Sequence, residues 1–345
     1  MKKFFSSLIG LAVGLTLALL LTFFAGENPL SILTILFKSA FGSTYDFGLT
    51  LFYTTPLIFC GLAVAVAFHA GLFNIGGEGQ LTVAAVTAAW VGVQFKNTPH
   101  IIAPLFALFA AVLAAALWAG IAGWLKTRRG SHEVIVTIML NFIASGLASF
   151  ITLSLIPNPE SQNPETAKVA PQFMTTAWDP IQKFFVDTPA NFSLIVALIC
   201  SVLMWIFLWK TPAGFKLRAV GTNFEAAQRQ NIDPKKWQLI AMLIAGSMAG
   251  LVALSEVLGS AGQYRIGFSP DYGFIGIAVS LAAFNNPLGI ILTAFLMGAL
   301  HKGASDLDME TANITRDFSK VIQAFVILGV SSAGILDYIK NRGKK

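Results

Sequence analysis

Between two long apolar runs the chain reads GLFNIGGEGQ, Gly71 to Gln80, with four glycines around Asn74, Glu78 and Gln80. Neutral amides donate and accept hydrogen bonds at once, and Asn141, Asn285 and Asn286 add more of them in other apolar segments. Such groups suit nucleobase edges or sugar hydroxyls better than an anion. No dense Arg and Lys cluster lies inside the apolar runs, which disfavours phosphorylated or strongly acidic ligands. Glu78 adds a carboxylate that costs about 3 kcal/mol if it lies deep in a bilayer. Two readings are open. In one, the glycine-broken backbone lies at membrane depth, where it survives only if protein or a water-filled path surrounds it. In the other, Gly71 to Gln80 is a tight turn at the membrane surface and Glu78 is solvated.

Composition decides what kind of elements must hold these residues. Hydrophobic residues make up 55% of the 345, charged residues only 12%, and the mean hydropathy is +0.71, so the apolar side chains exceed what one soluble core can hide. The chain reads as an all-α, polytopic membrane bundle, here taken as a single transmembrane domain over 1–345. Its net charge of +6 does not indicate nucleic acid, because the basic residues cluster beside apolar spans as membrane anchors do. Cys60 and Cys200 lie in apolar runs without a second Cys or a His nearby, and read as small buried hydrophobes.

A bilayer-length window finds about ten apolar segments, near 5–25, 49–69, 78–95, 101–125, 133–156, 191–209, 237–258, 272–284, 288–301 and 319–339. The first is too long for a usual signal peptide and reads as an uncleaved span after Lys2 and Lys3. The segments 272–284 and 288–301 are short, which predicts a broken or re-entrant pair around Asn285, Asn286 and Pro287, with the proline starting a helix. Basic residues cluster at Lys126 to Arg129, at Lys210 to Lys236 and at Lys340 to Lys345, all on the side of Lys2 and Lys3. Ten crossings with both termini cytoplasmic satisfy the positive-inside rule.

Two connections stand out. The outer one, 157–190, is rich in Pro, Asn, Gln and Thr, and suits either a docking or capping segment or an ordinary polar connector. The inner one, 210–236, contains TPAGFKLRAVGTNFEAAQRQNIDPKKW. There Thr211 and Pro212 stop one helix, and Asn223 is placed to cap a short helical run with Glu225 in its first turn. A helix of this kind on the cytoplasmic face can be gripped by a partner subunit; the alternative is a basic loop resting on anionic lipid.

Four ordered stretches, GLFNIGGEGQ, HEVIVTIMLNFIA (His132 to Ala144), LRAVGTNFEAAQRQNID (Leu217 to Asp233) and GFIGIAVSLAAFNNPLG (Gly273 to Gly289), resemble the permease subunits of bacterial ABC importers. The branch is that of the ribose and branched-chain amino-acid permeases, and within it the nucleoside permeases are most similar. The resemblance extends from about Pro29 to Val330. It implies two permease subunits, identical or different, around a substrate path. It also implies ATP-binding subunits beneath them and an extracytoplasmic solute-binding protein above. Gly221, Asn223, Glu225, Ala226 and Ala227 match the coupling helix that seats in the ATPase, while Gln228 and Asn231 replace the usual Arg and Gly, with Arg229 available to stand in. Asn74, Glu78, Gln80, Asn141, Asn285 and Asn286 match polar positions beside the path.

The chain has no GxxxxGK[ST] loop, so ATP belongs on a partner, and no cofactor is expected here. HExxH, GxSxG and paired-carboxylate motifs are also missing, which leaves an enzyme unsupported. His69, His132 and His301 are scattered and predict no metal site; His132 and Glu133 read as the start of a span. Phe73, Phe142, Phe274 and Phe284 have rings that can stack on a base, although among 29 Phe lipid contact or core packing is the ordinary role. Gly246 to Gly250 has small residues at helical spacing, a pattern for close helix packing. The expected action is import by alternating access in an inner membrane. The competing expectation is a stand-alone ion-coupled carrier using Glu78 or Asp271; a scaffold without cargo is disfavoured by the polar groups in the spans.

Overall fold

The computed structural model describes residues 2–311, 313–314, 320–322, 324–325 and 328–329, with side chains described from Gly10 onward except that of Leu11. Among the described residues the structure is helical, with only isolated bridges outside the helices. The helices are α1 (Lys2–Phe24), α2 (Pro29–Phe41), α3 (Thr44–His69), α4 (Gly77–Gln94), α5 (Ala103–Arg129), α6 (Glu133–Phe150), α7 (Pro180–Phe184), α8 (Ser193–Lys210), α9 (Pro212–Thr222), α10 (Phe224–Arg229), α11 (Pro234–Gly250), α12 (Tyr272–Ala282) and α13 (Pro287–Glu310). Two π-helical turns, Ile151–Leu155 and Leu254–Ala261, continue from α6 and lie just beyond α11.

Among the described residues six stretches are long and apolar enough to cross a bilayer: α3, α5, α6 with its π turn, α8, α11 through Ala261, and α13. Shorter apolar helices lie at Ala12–Phe24, Pro29–Phe41 and Tyr272–Ala282. The expected short segment 288–301 is therefore corrected. Pro287 does begin a helix, but the helix runs 24 residues, because Lys302, Asp306 and Asp308 lower the hydropathy of its second half without breaking it. Of the expected span 319–339 only 320–322, 324–325 and 328–329 are described, and the basic tail 340–345 lies outside the described residues.

The chain divides into two compact units, 55–294 and 1–54 with 295–345. In the first, α5 and α11 pack on α4, which also meets α6 and α12. Lipid tails are as apolar as the side chains they touch, so helices in a bilayer associate through close backbone approach rather than hydrophobic transfer. The small residues expected at Gly246 to Gly250 do this: a Cβ at Gly246 would overlap the Ala115 carbonyl oxygen, and one at Gly250 would lie 2.9 Å from Val112 Cα. Cys60 likewise packs as a small hydrophobe, 2.5 Å from where a Cβ at Gly276 would sit. Helix α4 is buried on most sides, which allows a composition too polar for lipid. Helix α6 has the opposite character and presents Ile135, Met139, Phe142, Ile143 and Phe150 outward, an apolar face that needs hydrocarbon or another protein.

In the second unit Ile32 and Leu36 of α2 pack with Ala18, Leu307, Ile314 and Ile322. Asn28 caps α2 by accepting from Leu30 N at 3.0 Å. Lys302 is buried and pairs with Asp46 at 3.4 Å and with Asp306 one turn away, so its charge is matched where hydration is poor.

The outer connection is ordered by clamps to the turn after the second π turn. Thr166 N donates to Tyr264 O at 2.9 Å, Val169 N to Gly262 O at 2.8 Å and Ala170 N to Gly92 O at 3.0 Å. Glu165 accepts from Gln263 Nε2 at 2.6 Å, Arg265 Nε at 3.1 Å and Asn158 Nδ2 at 3.1 Å. Hydrogen bonding from Ser161 first, then from Asn158 and Arg265, holds the Glu165 carboxyl below the ordinary carboxylate range.

Two outcomes follow for purified protein in detergent. Gly246→Ala should lower the melting temperature through overlap with Ala115, whereas Gly146→Ala, at a helix position with open space, should not lower it and can add up to about 1 kcal/mol. A depressed folded-state pKa at Glu165 means its contribution is complete above the unfolded value near about 4.3 and disappears as pH falls through the lower folded value. The melting difference between wild type and Glu165→Gln should accordingly be largest near neutrality and shrink in acid, as thermal scans over pH would show.

Candidate functional site at the broken segment

Helix α3 ends because Gly71 adopts φ +74°, a conformation costly for any residue with a Cβ. Leu72 N then donates to Ala67 O and Gly71 N to Phe68 O, both at 3.0 Å, closing the last carbonyls of α3 in a Schellman motif. From Leu72 to Gly76 the backbone is non-helical and the side chains of Leu72 and Asn74 are buried. Helix α4 starts at Gly77.

Amide side chains satisfy the backbone that this break exposes. Asn74 Oδ1 accepts from Gly76 N at 3.0 Å and from Gln80 Nε2 at 3.0 Å, while Asn74 Nδ2 donates to Gln80 Oε1 at 3.2 Å. Asn141, reaching in from α6, accepts from Gly79 N at 2.9 Å and donates to Ile75 O at 3.0 Å. Three of the amides expected beside the path are thus drawn together and bond the chain itself.

Glu78 has no basic partner in this group. Its Oε2 accepts from Gly273 N at 2.8 Å, at the start of α12, and Ser269 also hydrogen-bonds the carboxylate. Glu78 also sits in the first turn of α4. The carboxylate therefore lies at two positive helix ends, each contributing about 0.3–1 kcal/mol where exposed and more where partly buried. The approach is close enough that a Cβ at Gly273 would overlap Glu78 N, which requires glycine there. Asp271, just before α12, has φ +68° and is exposed.

The two ends of the broken segment meet opposite ends of α12. His69 Nε2–H donates to Asn285 O at 3.0 Å, just beyond the α12 C-terminus, and Glu78 meets Gly273 at its N-terminus. Eleven helical residues rise about 16 Å, so residues 69–78 climb alongside the length of α12 and do not form a flat turn. Asn285 Oδ1 accepts from Ser280 Oγ at 2.9 Å, and Asn286 Oδ1 accepts from Leu288 N at 3.0 Å at the start of α13. Phe73 packs edge-on to Phe68 at 5.1 Å, whereas Phe142, Phe274 and Phe284 are exposed.

The inner connection forms two helices where one was expected. Thr211 caps α9 by accepting from Gly214 N at 3.0 Å, with Pro212 as its first residue. Asn223 caps α10 by accepting from Ala226 N at 3.0 Å, with Glu225 in its first turn and Arg229 in its last. Ala227 is buried, while Glu225, Ala226 and Arg229 are exposed. Asn231, at the position where glycine is usual, has φ +59°, and Ile232 N donates to Ala227 O at 3.0 Å. Asparagine tolerates this left-handed stop, so the departure keeps the cap. Gly221 packs on the α3 terminus: a Cβ there would overlap His69 O and lie 2.8 Å from Gly71 N. His132 precedes α6 without a side-chain cap bond, and Glu133 pairs instead with Lys126 of α5 at 2.8 Å.

Sequence patterns pointed to the amides but not to His69, Trp209 and Arg218, which converge at this junction. The His69 ring meets Trp209 edge-on at 5.2 Å, and the Arg218 guanidinium lies 5.6 Å from the Trp209 ring centre. Spacing along the chain holds no signal for contacts this distant.

Removing Asn74 leaves the Gly76 N–H and the Gln80 amide unpaired in a buried site, at about 1–3 kcal/mol per group. Asn74→Ala and Gln80→Ala should each lower the melting temperature in detergent. Because the two side chains share one pair of bonds, the double variant should fall short of the sum by about 0.5–3 kcal/mol.

The family described as the permease component of the branched-chain amino acid transport system matches residues 47–331. The guanosine ABC transporter permease protein NupP of Bacillus subtilis is 36% identical over 342 residues, covering 98% of this chain and 96% of its own length. The nucleoside ABC transporter permease protein NupB of Lactococcus lactis is 30% identical over 348 residues, covering 99% and 94%. The glucose ABC transporter permease protein TsgB13 of Haloferax volcanii is 33% identical over 293 residues, covering 83% and 76%. No solved structure matches the chain. Likeness over nearly the whole length, together with a helical membrane bundle, places this chain in the family of branched-chain amino acid transport system permease components, the multi-pass membrane subunits of ABC transporters.

Proposed function

We propose that the chain is the permease subunit of an ATP-driven importer that moves a nucleoside, or a related simple sugar, inward across a cytoplasmic membrane. The observation that carries this reading is the end-to-end likeness to the guanosine permease NupP. A neutral polar cargo agrees with the chemistry near the break, where amides and one helix-capped carboxylate stand without an Arg or Lys cluster. Family membership displaces the ion-coupled carrier as the alternative.

In this reading the whole chain acts as one permease domain beside a second permease subunit, identical or different. Separate subunits bind and hydrolyse ATP beneath it, and a solute-binding protein delivers cargo to the outer face, where 157–190 lies. Both termini and the 210–236 connection face the cytoplasm, as the basic clusters suggest. Asn74, Glu78, Gln80, Asn141, Asn285 and Asn286 frame the path by fixing the backbone that lines it. The exposed face of α10, with Glu225, Ala226 and Arg229, seats in the ATPase, and its displacement switches the path between outward-open and inward-open forms.

The test is purification of the tagged chain from its native membranes in mild detergent, with co-purifying chains identified by mass and the complex assayed for ATP hydrolysis. An ATP-binding subunit should co-purify, and hydrolysis should rise with the solute-binding protein and nucleoside. Glu225→Arg should insert normally and lose cargo uptake; normal uptake in that variant would remove α10 from the ATPase contact.

A further inference from the structure

Gly221 of α9, His69 at the end of α3 and Asn285 in the turn after α12 meet at one junction. Gly221 sits two residues before the α10 cap, and Asn223 N donates to Ala219 O at 3.1 Å, so α9 and α10 are joined without slack. Backbone lies directly on backbone here: a Cβ at Gly71 would be 3.2 Å from Gly221 Cα, and one at Gly221 would overlap the His69 carbonyl. No flexible side chain intervenes to absorb a displacement.

Beyond that contact stands a strained turn. Phe284 and Asn285 follow α12 with φ +53° and +56°. For a bulky aromatic this conformation persists only when the surroundings over-determine it. The surroundings here are the Ser280 hydroxyl on Asn285 Oδ1, the Asn285 N–H on Ser280 O at 2.8 Å, and His69 Nε2–H on Asn285 O. His69 is thus bonded to the strained turn while its own backbone is pressed by Gly221, and its ring rests against Trp209, over which Arg218 of α9 lies.

We infer that His69 is the positioning residue through which movement of α9 and α10 reaches the broken segment. A shift of Gly221 moves His69 and Gly71 together, loosens or tightens the hold on the Phe284–Asn285 turn, and carries residues 72–78 along α12. This rests on the importer reading, because it presumes that α10 is what the ATPase moves. Contiguity alone does not establish energetic coupling, so the test must read coupling directly.

The experiment compares wild type, His69→Gln, His69→Leu and Gly71→Ala as complexes with the co-purifying ATP-binding subunit in proteoliposomes. Uptake of labelled guanosine and ATP hydrolysis are measured with and without the solute-binding protein. The Gln amide can replace the His69 donor to Asn285 O; Leu cannot. His69→Leu and Gly71→Ala should assemble and retain basal hydrolysis, but lose stimulation by cargo and transport about tenfold less guanosine per ATP, a coupling loss of the usual size. His69→Gln should restore most of that ratio. Unchanged transport per ATP in both variants would overturn the inference, as would a proportional fall in uptake and hydrolysis, which a merely structural role produces. If His69→Leu fails to assemble, the comparison of His69→Gln and Gly71→Ala with wild type decides by the same ratio. A wild-type complex whose hydrolysis does not respond to cargo would instead overturn the importer reading itself.

Discussion

A backbone that leaves the helix inside a bundle has to find partners for every N–H and C=O it frees, and the amide side chains around residues 70–80 serve that requirement. In water a broken helix costs little, because solvent completes the bonds. In hydrocarbon each unmade bond costs several kcal/mol. The chain closes α3 with a Schellman motif at Gly71, fills the next gap with the Asn74–Gln80 amide pair, and brings Asn141 from α6 to bridge Ile75 and Gly79. The same economy explains Glu78: at the start of two helices, partial positive charge stands in for a basic residue.

That constraint also selects the packing around the break. Gly77 and Gly273, Gly71 and Gly221, and Gly276 and Cys60 bring backbones close where an ordinary side chain would hold them apart. Helix α4 can begin with polar residues because protein surrounds it, and α6 turns Asn141 and Thr137 toward the break while its opposite face is apolar. Small residues therefore do two jobs here. They permit the break, and they set how closely neighbouring elements approach it.

The outer and inner connections divide along similar lines. Residues 157–190 are tied by backbone bonds and the Glu165 cluster to the turn that follows the second π turn. In the inner connection Thr211, Asn223 and Asp233 cap three successive helices, which defines where each begins regardless of what it contacts. This local capping is why the α10 start at Asn223 was legible from the chain alone, and why Asn231 could replace glycine without losing the stop.

The sequence by itself determined the helical membrane class, the starts of α4, α10 and α13, and the group of amides around the break. These depend on hydropathy over a bilayer-length window and on capping residues within a few positions of each other. It did not reveal α2, whose 13 residues are shorter than a span, nor the full length of α13, whose second half carries Lys302 and two aspartates. Only the tertiary structure decided that Asn74 and Gln80 bond each other, that Glu78 caps α12 from 195 residues away, and that His69 holds the turn at Asn285. Such contacts depend on how closely glycine lets two backbones approach in space, and separation along the chain carries no record of that distance.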